Sequence, residues 1–322
     1  MPERYIYAVT RIHTNEKNLL NQTEMDSLAS VGNLSEALNL LSSKGWDTSA
    51  VSGDDLEAMV ALEYKKTWAL ITEAAGQIDE LDILRRTRDF HNLKAAIKLV
   101  YAGEPGLSRP RYYLDYGLIS VDRIVKAAET CNFSILPEYL AETGIRAWNV
   151  LKDTGNGQLC EIVIDRAALE TLDAEGKALK SCLLRQYAVF TVDTANIKAA
   201  IRCHALGKGR EFLEKVIANG GSLNREGLIN AALGAEPEIG IFLRKTQYAG
   251  AASDNSSRAF ERWRSDELIR MIRPQAKVIY GIEPLVAHIL ARENEISIVR
   301  LILSSIGLGE SAVKGRLGLT YV

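Results

Sequence analysis

Apolar residues along this chain recur at helical rather than strand spacing. In "NLKAAIKLV", Leu93, Ala96, Ile97 and Val100 fall at i, i+3, i+4 and i+7, one face of an α-helix. Ile197, Ala200, Ile201 and His204 trace the same stripe further on, and Val299, Ile302, Leu303 and Ile306 trace it a third time. Leu34, Ala37, Leu38 and Leu41 predict a short amphipathic helix, and "EAMVALEYKKTWALITEAA" predicts a long one. The strand-like run "CEIVID", Cys160 to Asp165, has no partner strand and reads as an extended entry to a helix. The pattern predicts an all-α fold.

The stripes belong to a longer repeat. "DFHNLKAAIK" from Asp89 is nearly rewritten as "DTANIKAAIR" from Asp193, 104 positions later, and "EISIVRLILSSIG" from Glu295 follows 102 positions after that. Other landmarks keep the order: "YGLISVDRIVKAA" from Tyr116 matches "NGGSLNREGLINAA" from Asn219, and Pro137-Glu138 is echoed by Pro237-Glu238. Small polar loops, "DTSAVSGDD", "DTGNGQ" and "AGAASDNSS", precede helix starts, with Asp54 or Asp55, Asp165 and Ser256 or Ser257 as candidate caps. The chain therefore divides into units 1–104, 105–208 and 209–322, with Pro105 and Pro110 of "GEPGLSRP" interrupting helix at the first boundary. Each unit reads as two short helices, a loop and two longer helices. A period near 100 exceeds the roughly 20–50 residues of a helical solenoid. Each unit is expected to be a small bundle, and three of them to be related by pseudo-threefold symmetry.

Composition narrows function more than fold. The 322 residues, 47% apolar and 25% charged, can bury a large core in two or three subdomains. A net charge of −2, divided among the three units as −5, +1 and +2, gives no general attraction to nucleic acid or anionic lipid. Cys131, Cys160, Cys182 and Cys203 are too widely spaced for a metal knuckle or a disulfide framework, and read as reduced thiols. No basic flank leads into an apolar run, and no stretch approaches ~20 apolar residues, so neither secretion nor a membrane span is expected.

The common reactive constellations are missing. His13, His91, His204 and His288 lack metal-ligand spacing, and Cys203 and His204, as neighbours, face different sides of a helix. "ALGKGREF" and "GLGESAVKGRLG" lack the spacing of a phosphate loop and read as helix ends closed by glycine. The acids of "DELD" at Asp79 suit a helix N-terminus. No catalytic, cofactor-binding or metal-binding residue is assigned. Two Arg-rich runs, "LRRTRDFHNLK" and "RAFERWRSDELIRMIR", are interleaved with acids and read as solvated helix faces. Within them Arg85, Arg86, Arg262 and Arg264 are the candidates for contacting a partner.

The opening "YIYAVTRIHTNEKNLLNQTEMDSL" resembles the start of the C-type subunits of V-type and archaeal A-type rotary ATPases, whose eukaryotic counterparts are the d-type subunits. "RRTRDFHNLKAAIK", "DTANIKAAIR" and "ENEISIVRLIL" resemble that family's three paired segments, and "GRLGLTYV" its ending. The likeness covers essentially the whole chain. Departures are Thr10, where alanine is commoner, and Ile298, which stands where the first copy has Asn92. The resemblance implies a funnel-shaped, all-helical body of three bundles around a central cavity, on the cytoplasmic face of a membrane proteolipid ring. It implies a non-catalytic rotor subunit, without cofactor, that joins the ring to central-stalk subunits of the D and F type and transmits torque between ATP hydrolysis or synthesis and proton or sodium transport. The alternatives are a helical scaffold or RNA-binding module using the Arg-rich patches, and behind it an all-helical enzyme.

Overall fold

A computed structural model describes residues 5–50, 56–235, 238–252, 257–306 and 317–322. Candidate caps Asp54, Asp55 and Ser256, residue Pro237 and most of "GLGESAVKGRLG" lie outside the described residues. Among those described, the regular structure is entirely helical: α1 (Ile6–Asn15), α2 (Gln22–Ser30), α3 (Leu34–Ser43), α4 (Leu56–Ala75), α5 (Asp82–Tyr101), α6 (Val121–Glu129) and α7 (Glu138–Thr154), followed by α8 (Gly157–Ala178), α9 (Cys182–Ala205), α10 (Arg210–Val216), α11 (Arg225–Leu233), α12 (Glu238–Arg244), α13 (Ser257–Ile272) and α14 (Glu283–Ser305). The two predicted first-unit helices are α3 and α4, and the three repeated stripes lie on α5, α9 and α14. α7, at 17 residues, is longer than the short helix expected there.

"CEIVID" is not extended. It lies inside α8, where Cys160, Ile164 and Ala167 are buried at i, i+4 and i+7. β-branched residues cost a few tenths of a kcal/mol each in a helix. Burying a large aliphatic side chain is worth about 1.5–3 kcal/mol, so packing decides. Asp165 is accordingly not a cap but an exposed mid-helix residue, its carboxylate 2.7 Å from Lys94 Nζ. The true punctuation is earlier: Gly155, at φ +63°, closes α7 in a left-handed turn, and the Asn156 side chain caps α8 by accepting from the amides of Gln158 and Leu159.

The helices group into two compact units. The terminal unit comprises described residues within Met1–Ile78, Ser181–Leu184 and Ser253–Val322; the central unit comprises Asp79–Lys180 and Arg185–Ala252. In the terminal unit α14 packs against α1, α4 and α13. Its residues are buried on nearly every side, from Leu285, Val286 and Ile289 to Val299 and Ile302, as befits a helix at the centre of a core. In the central unit α5 packs on α6 and α8, and Phe90, Leu93 and Ile97 meet Ile124, Phe133, Leu140 and Ile164 in one apolar cluster.

Close packing of α8 on α9 depends on Gly176. A β-carbon there would lie 2.5 Å from that of Ala188, inside van der Waals contact. Gly176→Ala gains up to ~1 kcal/mol of helix propensity. Overpacking costs typically 1–3 kcal/mol. The expected outcome is net destabilisation, read as a lower urea midpoint, and an unchanged or higher midpoint would show that α8 and α9 separate freely.

Candidate functional site

The three repeated helices share a polar device at the acidic first residue of the repeated segment, which lies inside each helix. Asp89 and Asn92, one turn apart on α5, are both fully buried. Asn92 Nδ2 donates to the Leu114 carbonyl at 2.9 Å and its Oδ1 accepts from the Leu114 amide at 2.7 Å, so one side chain satisfies both backbone groups of one residue. Asp89 accepts from the Ile119 amide at 3.1 Å and the Tyr139 hydroxyl at 3.0 Å. On α9 the arrangement recurs. Asn196 clasps both backbone groups of Ala218, at 3.1 and 2.9 Å, while Asp193 accepts from the Ser222 amide and hydroxyl, the Leu223 amide and the Tyr248 hydroxyl.

The loops fit because they crowd the acids. Gly117 and Gly221, 104 residues apart, leave no room for a β-carbon, which would fall 2.4 and 2.1 Å from the Oδ1 of Asp89 and Asp193. α14 varies the theme. Glu295 replaces aspartate and accepts from the Leu20 amide at 2.5 Å, while Ile298 replaces the asparagine and is buried. In all three cases the clasped amide belongs to the residue just before a helix cap: Leu20 before Asn21 of α2, Ile119 before Ser120 of α6, Leu223 before Asn224 of α11. Four residues beyond each cap stands a buried apolar side chain, Met25, Ile124 or Leu228, the spacing of a hydrophobic staple. Each acid thus fixes where the next short helix begins.

Burial raises the Asp89 carboxyl above the ordinary aspartate range despite its donors, and raises Glu295 likewise. Positive charge compensates one turn earlier in both cases. Arg86 pairs with Glu175 at 2.7 Å and lies 4.5 Å over the Tyr139 ring; Arg292 pairs with Glu295 and lies 5.9 Å over Trp46. His288, fully buried on α14, is pushed down to about 3, first by burial and then by the nearby positive Arg292 and His13.

The four arginines named from sequence are not brought together. Arg85 donates to the carbonyls of Tyr116 and Gly117 at 2.9 and 3.0 Å, so it serves the loop after α5 from within the central unit, while Arg86 is held by Glu175 of α8. Arg88 likewise donates to the Asp115 carbonyl, and the "RRTR" run is an internal brace. Carbonyl acceptors leave no trace in sequence, which is why the charge run read as a solvated face. In the terminal unit Arg264 stands 3.8 Å from Glu261. Arg262 is exposed and lines a groove of about 850 Å³ with Gln22 and Asp26 of α2, Asp266 of α13 and Leu317 of the C-terminal segment. Gly207, at φ +59°, closes α9 as read from sequence. The Cys160 thiol is pushed up to about 11, chiefly by burial. Among the described residues no cluster of three His, Cys, Asp or Glu side chains could hold a metal ion, and no helix is long and apolar enough to cross a membrane.

Residues 8–314 match the ATP synthase (C/AC39) subunit family. The chain belongs to this family. It is also similar to the C-type subunit of the V-type sodium ATPase of Enterococcus hirae, 22% identical over 255 residues, which cover 77% of each chain. Family membership fits a subunit that is not the catalytic one, and the all-helical architecture agrees with the sequence reading.

Two measurements probe these buried polar groups. Asn196→Ala strands both backbone groups of Ala218, and a buried group left without its partner costs about 1–3 kcal/mol. The urea midpoint should fall accordingly, and a change within experimental error would refute the clasp as a source of stability. For His288, the folded value of about 3 lies below the ordinary 6.5, so the unfolded chain binds a proton that the folded chain refuses. Stability is therefore lost as pH falls from 6.5 towards 3, by up to about 1.4 kcal/mol per pH unit from this group. His288→Leu should flatten the slope relative to wild type; parallel slopes would contradict it.

Proposed function

We propose that the chain is a rotor subunit of a V/A-type ATPase, joining the central stalk to the membrane proteolipid ring and passing torque between ATP hydrolysis or synthesis and ion transport. The observation that carries this reading is the family match over residues 8–314 together with the thrice-repeated bond from a buried acid to the amide ahead of a helix cap. In this reading the units 1–104, 105–208 and 209–322 are three bundles of a funnel with a central cavity. The first repeat's long helix clasps the loop of the second, the second clasps that of the third, and the third returns to Leu20 in the first, which supports a pseudo-threefold arrangement.

Torque transmission asks for stiffness rather than bond chemistry. Loops held by fully buried, multiply bonded acids resist local opening, because breaking one contact strands a buried polar group. The partners are central-stalk subunits of the D and F type on one side and the ring on the other, with the chain peripheral on the cytoplasmic face. Whether proton or sodium moves is fixed by the membrane subunits. Among the four candidate arginines we assign partner contact to Arg262 and secondarily Arg264, since Arg85 is engaged at the loop after α5 and Arg86 with Glu175 of α8.

Affinity purification in mild detergent through a tag on this chain, followed by mass spectrometry, should recover ring and stalk subunits together. Recovery of the chain alone, or with RNA, would overturn the reading. Arg262→Glu should reduce recovery of one partner set, and the loss relative to wild type should shrink as salt rises, because an exposed interfacial charge acts through screened electrostatics. Undiminished recovery at low salt would remove Arg262 from the interface.

A further inference from the structure

His13, at the end of α1, has both ring nitrogens opposite oxygen acceptors. Nδ1 lies 2.9 Å from Glu16 Oε2, and Nε2 lies 2.9 Å from the carbonyl of Val278, in the turn before α14. A neutral imidazole has one N–H and can serve only one acceptor. To bond both, the His13–Glu16 pair must hold one further proton, on the ring or on the carboxyl. Without it, a ring lone pair faces either a carboxylate or a carbonyl.

The C-terminal segment lies near this pair. Tyr321 is buried, and its phenol is held above the ordinary range by burial and then by Glu16. The segment bearing it is anchored by the Leu319 amide on Asp266 at 2.6 Å and by Arg273 on the Thr320 carbonyl. Charged and titratable groups come to the surroundings of His13 from several elements. Glu16 is on its own segment, His288 and Arg292 come from α14, and Tyr321 comes from the C-terminal segment. The turn before α14 gives the Val278 carbonyl with exposed Lys277 beside it. α4 gives Glu73, which pairs with Arg11 at 2.7 Å. His288 stays neutral near pH 7, leaving His13 as the histidine of this cluster that titrates there.

We propose that His13 is a proton-held latch: its imidazolium, bonded to Glu16 and to the Val278 carbonyl, ties the end of α1 to the turn before α14, and loss of that proton releases the tie. The direction follows from linkage. Burial opposes the charged ring, but the bonds to Val278 and Glu16 outweigh it and raise His13 above its ordinary value. The latch is therefore fully formed below pH 6.5 and weakens as pH rises through the raised value. Acidification strains the same unit through His288, so the two histidines bound a window of greatest stability from opposite sides.

The test is an NMR titration of the chain, with amide hydrogen exchange at Val278, whose amide donates to the Gln275 carbonyl at 3.0 Å, followed across the same pH range. His13 is expected to titrate above 6.5. Protection of the Val278 amide, corrected for the intrinsic pH dependence of exchange, should fall several-fold over that titration. In His13→Gln the corrected protection should be flat with pH, and in Glu16→Gln the histidine should titrate lower than in wild type. A wild-type His13 that titrates at or below 6.5 would overturn the latch, even if neither variant folds. So would corrected protection with the same pH profile in wild type and His13→Gln.

Discussion

A buried carboxylate bonded to the backbone amide just ahead of the next helix is the contact on which this architecture turns. Helices of nine residues, such as α2, α6 and α11, are too short to be stable alone and depend on being placed against something larger. Asp89, Asp193 and Glu295 do the placing. Each fixes the N-terminus of a short helix whose buried face then falls on Met25 and Leu28, on Ile124 and Ala127, or on Leu228 and Ala231. Moving the clasped amide by one residue would rotate that face by about 100°, turning apolar positions to water. One polar contact therefore sets the register for several apolar ones.

Burying such acids is expensive in isolation, and the chain meets that cost locally. Donors surround each carboxylate, and a cation lies one turn away on α5 and α14. α9 has Phe190 at the corresponding place and relies on more donors instead, with the Ser222 hydroxyl added to two backbone amides and the Tyr248 phenol. Two solutions to one desolvation problem within one molecule show that the requirement is on the acid, and that its neighbours are free to differ.

Much of this was legible in sequence and some was not, for identifiable reasons. The stripes on α5, α9 and α14 were readable because apolar periodicity is a property of one helix, and the repeat because identity at a fixed separation needs no structure. Asp89 and Asn92 were visible as part of the repeated string, but their partners, backbone groups of Leu114 and Ile119, carry no side-chain signature. The same blindness hid the internal partners of Arg85 and Arg86, which are two carbonyls and an acid inside the central unit. "CEIVID" misled for a different reason: six residues are too few to separate a buried helix segment from a strand, and the decisive residue, Ala167, lies beyond the run.

The third copy departs from the others where its task differs. In the first two, the clasped loop follows the long helix directly along the chain: Leu114 lies 13 residues past Tyr101, the last residue of α5. Leu20 is separated from Glu295 by 275 residues, so nothing covalent nearby brings them together. A longer acid extends the reach by one methylene, and Ile298 replaces a two-ended amide that would need a backbone partner in fixed register. The lost clasp is offset by contacts from several directions: His13 on Val278, Tyr64 on Glu293, Arg300 on Glu57 at 2.7 Å and the buried C-terminal segment. A joint made between distant parts of a chain gains more from many moderate contacts than from one exacting clasp, because each contact formed lowers the entropic cost of the next. Such a joint is also where the proposed His13 latch sits, between the end of α1 and the turn before α14.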